Sequence, residues 1–534
     1  MLQINNLALP FDHAQQDLEK AVRDFLGLGS QDFLEVIVQR CSLDSRKGRP
    51  IRKVYTVLAR IANEEHLGPL VRKTSDLSYW KSQTYQAPVL IRKRSGLRPI
   101  VIGSGPAGIF ASLILAEAGM EPLVLERGSP VSKRTQDVRR FWQEGILDLE
   151  SNVQFGEGGA GTFSDGKLGS RIKDRSGRRD KILLELVDAG APEQILVNSK
   201  PHIGTDMLAG VVQNLRIKIC ELGGEYRFGA KVADLEIEGR RIRGVVLGSG
   251  ERLLSDAVIL AVGHSARDTF SMLAERGIKL APKPFSVGFR IEHPQGLIDR
   301  NQYGDKAGHP DLPTAEYQLS YRSSLGRTVY SFCMCPGGYV IGAASEFNMV
   351  VTNGMSEFQR DGLNANSALV VEVFPGDFDG EPLGGISLQR KWEQQAFLLG
   401  GGNYHAPAQL LGDFLSGRES TELGGISATY LPGIKLGNLR QAYPDYIIRA
   451  IEEALPAFDR KIRGFSRKDA VLTGVETRTS CPLRILRNED FQSINLRGLF
   501  PAGEGSGYAG GIMSSAIDGI KAAEKVIAAV YEGL

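Results

Sequence analysis

Residues 99–128, PIVIGSGPAGIFASLILAEAGMEPLVLERG, decide the fold. An apolar run, 99–102, meets Gly103-Ser104-Gly105-Pro106-Ala107-Gly108. A helical stretch follows, then a second apolar run that ends in Glu126, 23 residues after Gly103. G-x-G-x-x-G recurs by chance, but strand, glycine turn, helix, strand and acid in this order make the dinucleotide fingerprint. Gly103 permits the tight turn, Gly105 lets backbone approach a pyrophosphate, and Gly108 lets the helix pack on the strand. The helix N-terminus offers free N–H groups and a positive dipole end to phosphates. Glu126 is expected to accept hydrogen bonds from ribose hydroxyls.

Outward from this unit, the α/β pattern continues. Thr205 is expected to cap a helix with Leu208, Val211, Val212, Leu215 and Ile219 on one face, ended by Gly223-Gly224. A meander is expected over 231–237, 241–247 and 252–254, then a buried, parallel-type strand, AVILAV, at 257–262. From Gly498 a strand, a glycine turn and a helix through Tyr531 restore the pattern. Residues 276–475 mix strands and glycine pairs and read as an excursion from the α/β domain. LGGIS occurs at 383–387 and 423–427, which we treat as coincidence. In front, residues 2–7, 13–27, 33–41 and 51–61 read as a small β-α-β-β unit, and 73–98 as a linker. The expected boundaries are 1–97, 98–275, 276–475 and 476–534.

Composition excludes several classes. Glycine supplies 63 of 534 residues, yet no G-X-Y period runs, so collagen is excluded. With 42% apolar residues and a net charge of +2, neither disorder nor a general drive toward nucleic acid or membrane follows. The first 97 residues carry a net +5 against −3 for the rest, with poor aromatic interleaving, which argues against nucleic acid. The five cysteines, 41, 220, 333, 335 and 481, are odd in number and irregular in spacing, so no disulfide framework is implied. With no signal-peptide pattern and no apolar run of membrane length, the expected location is cytoplasmic and off the membrane.

Beyond the fingerprint, the chain resembles the FAD-binding superfamily of glutathione-reductase-like fold. The resemblance rests on Glu126-Arg127-Gly128, the meander, AVILAVGH with Gly263, and the late Gly498-Leu499-Phe500-Pro501-Ala502-Gly503-Glu504. More closely, it is similar to bacterial FAD-dependent dehydrogenase-like proteins, through 151–168, 261–270, 333–346 and 501–519. The resemblance implies a Rossmann-like FAD domain interrupted by a β-rich middle domain. It implies FAD as cofactor and carries roles onto matching positions. Gly158, Gly159, Ala160, Gly161 and Thr162 would line the pyrophosphate and flavin edge. Val232 would meet adenine through its backbone, and Glu504 the ribityl or pyrophosphate part. Gly511, Ile512 and Met513 would turn a helix N-terminus toward the flavin, stabilising negative charge on the reduced ring.

Flavin carries the redox step, so the protein supplies positioning, an acid or base, and exclusion of water. Ser164 and Lys167, with Asp165, are candidates for the flavin edge, the alternative being loop bracing. His264 is a candidate acid or base, or a structural histidine, and His293 is equally open. Arg478 is a candidate for an anionic substrate, and Tyr508 for a place over the ring. Cys333-x-Cys335 reads as packing, a redox pair or a metal ligand pair. No cluster of metal ligands appears. No second G-x-G-x-x-G appears, so the electron donor is NAD(P)H bound without that fingerprint, a donor protein, or the small-molecule substrate itself. The alternative function is a flavoprotein with a binding, regulatory or tRNA-linked role that uses the basic N-terminal unit.

Overall fold

The computed structural model describes residues 1–29, 33–62, 64–82, 84–88, 97–170, 172 and 174–531. Five three-residue strands form a parallel sheet in the order Leu499–Pro501, Val258–Leu260, Ile100–Ile102, Leu123–Leu125, Glu225–Arg227. The first four strands in that order are wholly buried, which explains their unbroken apolar sequence. Helix Pro106–Glu117 is apolar all round and buried from Ala107 to Ala116. It lies between the sheet and the helices Thr205–Glu221 and Ile512–Tyr531. The expected meander, Val232–Glu238, Arg241–Leu247 and Arg252–Leu254, forms its own antiparallel sheet. One expectation shifts: Thr205 is the first helical residue rather than the cap, because Gly204 at φ 86° occupies the cap.

The chain leaves this domain after Leu260 and re-enters it at Leu499. Leu280–Pro282 and Leu483–Ile485 pair antiparallel on the way out and back. Between them lies a seven-stranded sheet in the order Ser320–Arg322, Thr328–Cys335, Asn364–Val373, Phe285–Pro294, Val471–Glu476, Ala406–Leu410, Ile434–Leu436. Phe285–Pro294 is buried along nearly its whole length and pairs with Asn364–Val373 through ten registered positions. Helices Gly384–Leu399 and Asp445–Lys461 close a core that holds Phe289, Trp392, Phe414 and Phe458. The two LGGIS segments are structurally unrelated. The first opens a helix and the second lies in irregular chain.

At the N-terminus, helix Gln15–Leu26 buries Val22 and Leu26 against a sheet in the order Phe33–Asp44, Arg52–Ile61, Leu2–Pro10, Leu77–Tyr79. The last strand corrects the linker reading of 73–98. Leu77–Tyr79 pairs with residues 2–4 and buries Leu77, but three residues are too few to show a period. The basic stretch 91–96 lies outside the described residues. The unit is tied to the body where Cys41 N–H donates to the Val197 carbonyl at 2.7 Å and Ser199 N–H returns to Cys41 at 2.9 Å.

The tightest constraint in the parallel domain is a helix crossing. A Cβ on Gly519 would lie 2.1 Å from the Ala107 carbonyl oxygen. Alanine is the better helix former, by about 1 kcal/mol in an exposed helix. The clash reverses that sign, because overpacking costs about 1–3 kcal/mol. Gly519→Ala is therefore expected to lower the denaturant midpoint, by about 1–3 kcal/mol of unfolding free energy in equilibrium urea titrations.

Candidate functional site

A cavity of about 760 Å³ opens where the parallel sheet's carboxyl ends meet the seven-stranded sheet. That volume suits a cofactor or a drug-sized ligand. Its glycine-lined half is built by three turns. Gly103 turns at φ 97°, where a Cβ would lie 2.7 Å from the Ala261 carbonyl. A Cβ on Gly108 would lie 1.9 Å from the Gly103 carbonyl, so Gly108 lets the helix leave the strand tightly instead of lining the cavity. Gly105, Pro106 and Ala107 line it with the first turn of their helix, whose N–H groups have no partner within the helix. Gly159, Ala160 and Gly161 face them, and a Cβ on Gly159 would come within 3.0 Å of the Gly105 Cα.

Glu126 ties these turns together. One carboxylate oxygen accepts from Ser104 N–H and Oγ, at 2.9 and 3.0 Å. The other accepts from Gly128 N–H at 2.9 Å and Gly156 N–H at 3.0 Å. A carboxylate has about four lone-pair sites. Glu126 lines the cavity as expected, and these same protein donors make it brace the cradle. Arg134, which the sequence did not single out, does the same from below. It is wholly buried, and its guanidinium donates to the carbonyls of Asn152, Val153 and Glu157 at 2.9, 3.0 and 2.6 Å. Its position on an amphipathic helix, among other basic residues, gave no signal.

Of the other expected cofactor contacts, Arg127, Val232, Gly263, Glu504, Gly511 and Ile512 line the cavity. Arg127 stacks over Phe155 at 4.0 Å and pairs with Glu150 and Asp268. Four expectations are corrected. Gly158 and Thr162 face each other beneath the loop, and Thr162 is buried. Gly503 packs on Ala107, and Met513 points into the helix core. None of these four lines the cavity. Each is close to cavity residues in sequence but on the inward side of its turn.

The other half of the cavity is polar and is walled by the middle sheet. Ser164 lines it, but its Oγ donates to the Gly161 carbonyl at 2.7 Å and accepts from Gly166 N–H at 3.0 Å, so it braces the loop. Lys167 pairs with buried Asp165 at 2.5 Å and donates to the Met334 carbonyl. Asp165 also holds Arg360. Arg478 lines the cavity, but Glu393 binds its guanidinium at 3.1 and 2.9 Å and also binds Arg267 at 2.6 Å. Its expected role with an anionic substrate is thus limited by an internal partner. His264 lines the cavity, but burial and the charges of Arg478 and Arg267 push it down to about 3. It is neutral at ordinary pH, which removes the near-neutral acid expected there. His293 is structural, bonded to the Phe465 carbonyl at 2.7 Å. Tyr508 is outside the cavity, between Arg484 and Arg487 at 4.8 and 3.9 Å, so it does not cover the ring. Sequence reasoning missed Gln318, Asn353, Glu476 and Thr479, which line the same wall from distant segments.

Residues 284–479 match the family model described as "FAD-dependent protein, C-terminal domain-like". A Clostridium beijerinckii protein described as "Uncharacterized protein" is 47% identical over 528 residues, 98% of each chain. The chain belongs to this family of FAD-dependent proteins. FAD is its cofactor. Among solved structures, a halogenase variant in complex with FAD is 13% identical, over 82% of this chain and 70% of that one, with a TM-score of 0.39. A geranylgeranyl bacteriochlorophyll reductase-like protein from Thermoplasma acidophilum is 11% identical, over 82% of this chain and 79% of that one, with a TM-score of 0.36. Likeness at that level bears on neither substrate nor mechanism. The flavoprotein's cradle fits FAD on its own geometry: bare backbone at Gly105 and Gly159, a helix N-terminus between them, and open space around Gly263, Gly510 and Gly511.

Glu393 is fully buried between two arginines, and removal of one partner of such a cluster leaves buried charge uncompensated. Glu393→Gln is expected to cost about 3–5 kcal/mol of unfolding free energy, read by urea denaturation. A loss below about 1 kcal/mol would show that the cluster does not hold the two domains together.

Proposed function

We propose that this flavoprotein is an oxidoreductase that exchanges a hydride or electrons between FAD and a small substrate. The observation that carries the reading is the continuity of the cavity. Glycine turns from the parallel domain and polar side chains from the segments around the seven-stranded sheet line one space. Bound there, FAD would supply the two-electron chemistry. Gly105, Pro106, Ala107 and Gly159 would hold its pyrophosphate, and Arg127 and Val232 its adenosine end. The N-terminus of the helix Ile512–Tyr531 would favour negative charge on the reduced ring. Substrate would enter the half walled by Lys167, Gln318, Asn353, Glu476 and Thr479. NAD(P)H or a donor protein remains the proposed source of electrons. Among the described residues no helix is long and apolar enough to cross a membrane. The five cysteines are free, and we propose a cytoplasmic location.

The purified protein is expected to be yellow, with about one FAD per chain. Anaerobic mixing with NADH, NADPH or a metabolite panel should bleach the flavin absorbance with at least one of them. Colourless protein that takes up no flavin on reconstitution would refute the reading.

Glu504 gives a pH signature. Burial pushes its carboxyl up to about 7, with the Lys283 charge opposing. Below that pH it is neutral and tolerates a nearby pyrophosphate; above it, the carboxylate repels the phosphates. FAD affinity is expected to fall as pH rises through about 7, by at most tenfold per unit. Glu504→Gln should flatten that slope in fluorescence titrations of FAD binding.

A further inference from the structure

Cys333 and Cys335 have no part in the reading above, yet Cys333 lines the same cavity. Both belong to the strand Thr328–Cys335, whose pairing with Asn364–Val373 shifts register between Phe332 and Cys335. At that shift Cys333 takes φ 44°, which a non-glycine residue keeps only where its surroundings hold it. Arg290, wholly buried, supplies that hold. Its Nη1 donates to the Cys333 carbonyl at 2.9 Å and lies 4.0 Å from the Cys335 Sγ. Lys167 holds the carbonyl of Met334, the residue between the two cysteines. The shift puts one extra residue into this strand, three steps from Phe332 to Cys335 against two on its partner. Cys335 Sγ donates to the Cys333 carbonyl at 3.3 Å, which brings the buried thiol back onto the residue that carries the other.

The charges around the pair favour a thiolate on the exposed member. The neighbouring Cys335 thiol, followed by the Lys167 and Arg290 charges, brings Cys333 down to about 5, against burial and the Asp165 charge. Cys335 is raised by the same contact and by burial. Glu476, the other acid beside Arg290, meets that arginine at 3.0 and 3.1 Å, while burial pushes its carboxyl up. Cys481 shows the contrast: burial pushes its thiol up to about 12, against the Lys283 and Arg267 charges. A low-pKa, cavity-facing thiolate over a buried thiol is the arrangement of a nucleophilic and a resolving cysteine.

We propose that Cys333 and Cys335 form a reversible dithiol/disulfide pair that exchanges two electrons with the flavin. The inference rests on the FAD oxidoreductase reading above. In the oxidising direction the Cys333 thiolate and the Cys335 thiol join in an S–S bond. The Cys335 S–H bond breaks, and its proton and the released electron pair go to the oxidised flavin, giving the reduced anion. The reverse step breaks the S–S bond, returns one proton to Cys335 and leaves Cys333 as thiolate. No further oxidant or reductant is needed for the exchange itself.

The test uses the full FAD-loaded chain. Protein oxidised with diamide and desalted is titrated anaerobically with dithionite, and parallel samples are denatured, alkylated and mapped by mass spectrometry. The expected uptake is four electron equivalents per FAD, two for each couple, against two for Cys335→Ser. The peptide containing residues 333 and 335 should escape alkylation after oxidation and take two labels after reduction, while Cys41, Cys220 and Cys481 stay labelled in both states. Uptake of two equivalents by the wild type, with both sulfurs labelled after oxidation, would overturn the pair. If Cys335→Ser does not fold, the alkylation map of the wild type decides alone. A chain that binds no flavin overturns the oxidoreductase reading, and the flavin route with it. A flavin-loaded chain with permanently labelled cysteines overturns only the thiol pair.

Discussion

The structure depends most on one buried carboxylate. Glu126 accepts from three backbone N–H groups and one hydroxyl, spread over the turns at 104, 128 and 156. Each turn alone is a short, glycine-rich segment with little side chain to fix it. A charged acceptor at the centre makes charge-assisted hydrogen bonds, which are roughly twice as strong as neutral ones. Arg134 completes the arrangement with three carbonyl contacts to the segment 152–157. The cradle is therefore pre-organised by internal polar contacts that also keep its backbone apart for a ligand.

The same economy of side chains explains the close crossings. Helices Pro106–Glu117 and Ile512–Tyr531 approach at Gly519, and the return strand enters beside Ala107 at Gly503. In the middle domain, glycines serve chain crossings rather than ligand approach. A Cβ on Gly288 would meet the Leu369 carbonyl at 1.8 Å, and one on Gly400 the His405 carbonyl at 1.8 Å. The high glycine content thus has more than one cause: a bare cradle on one side, crowded backbone on the other, and uncrowded turns at positive φ such as Gly304 and Gly380.

Charge is handled differently at the two ends of the cavity. At the end lined by Arg127 and Lys231, those two cations share Glu150 and Asp268 in a partly exposed network. At the opposite end, Arg290–Glu476 and Arg267–Glu393–Arg478 are buried and self-neutralised. Such clusters contribute little net stability against an apolar alternative, but they are costly to break. They position polar groups at the wall where the two domains meet, and burial, with the Arg478 and Arg267 charges, keeps His264 neutral.

Local sequence was enough for the parallel domain. Continuous apolar runs, glycines at turn positions and an acid at a strand end are short-range signals, because βαβ geometry is itself short-range. The middle sheet was not legible in that way. Its neighbouring strands, Phe285–Pro294 and Val471–Glu476, lie nearly two hundred residues apart, and no local period encodes which strand lies beside which. Nor could sequence tell Tyr508 or Met513 from Glu504 and Ile512, since a turn of the chain decides which neighbours face the cavity. What the sequence by itself determined was the cofactor class and the fold that holds it. Only the tertiary structure decided that Glu126 braces three turns at once, that Arg478 already has a partner, and that a register shift turns Cys333 into the cavity beside Lys167 and Arg290. Those facts depend on contacts between segments far apart in the chain, which no local pattern records.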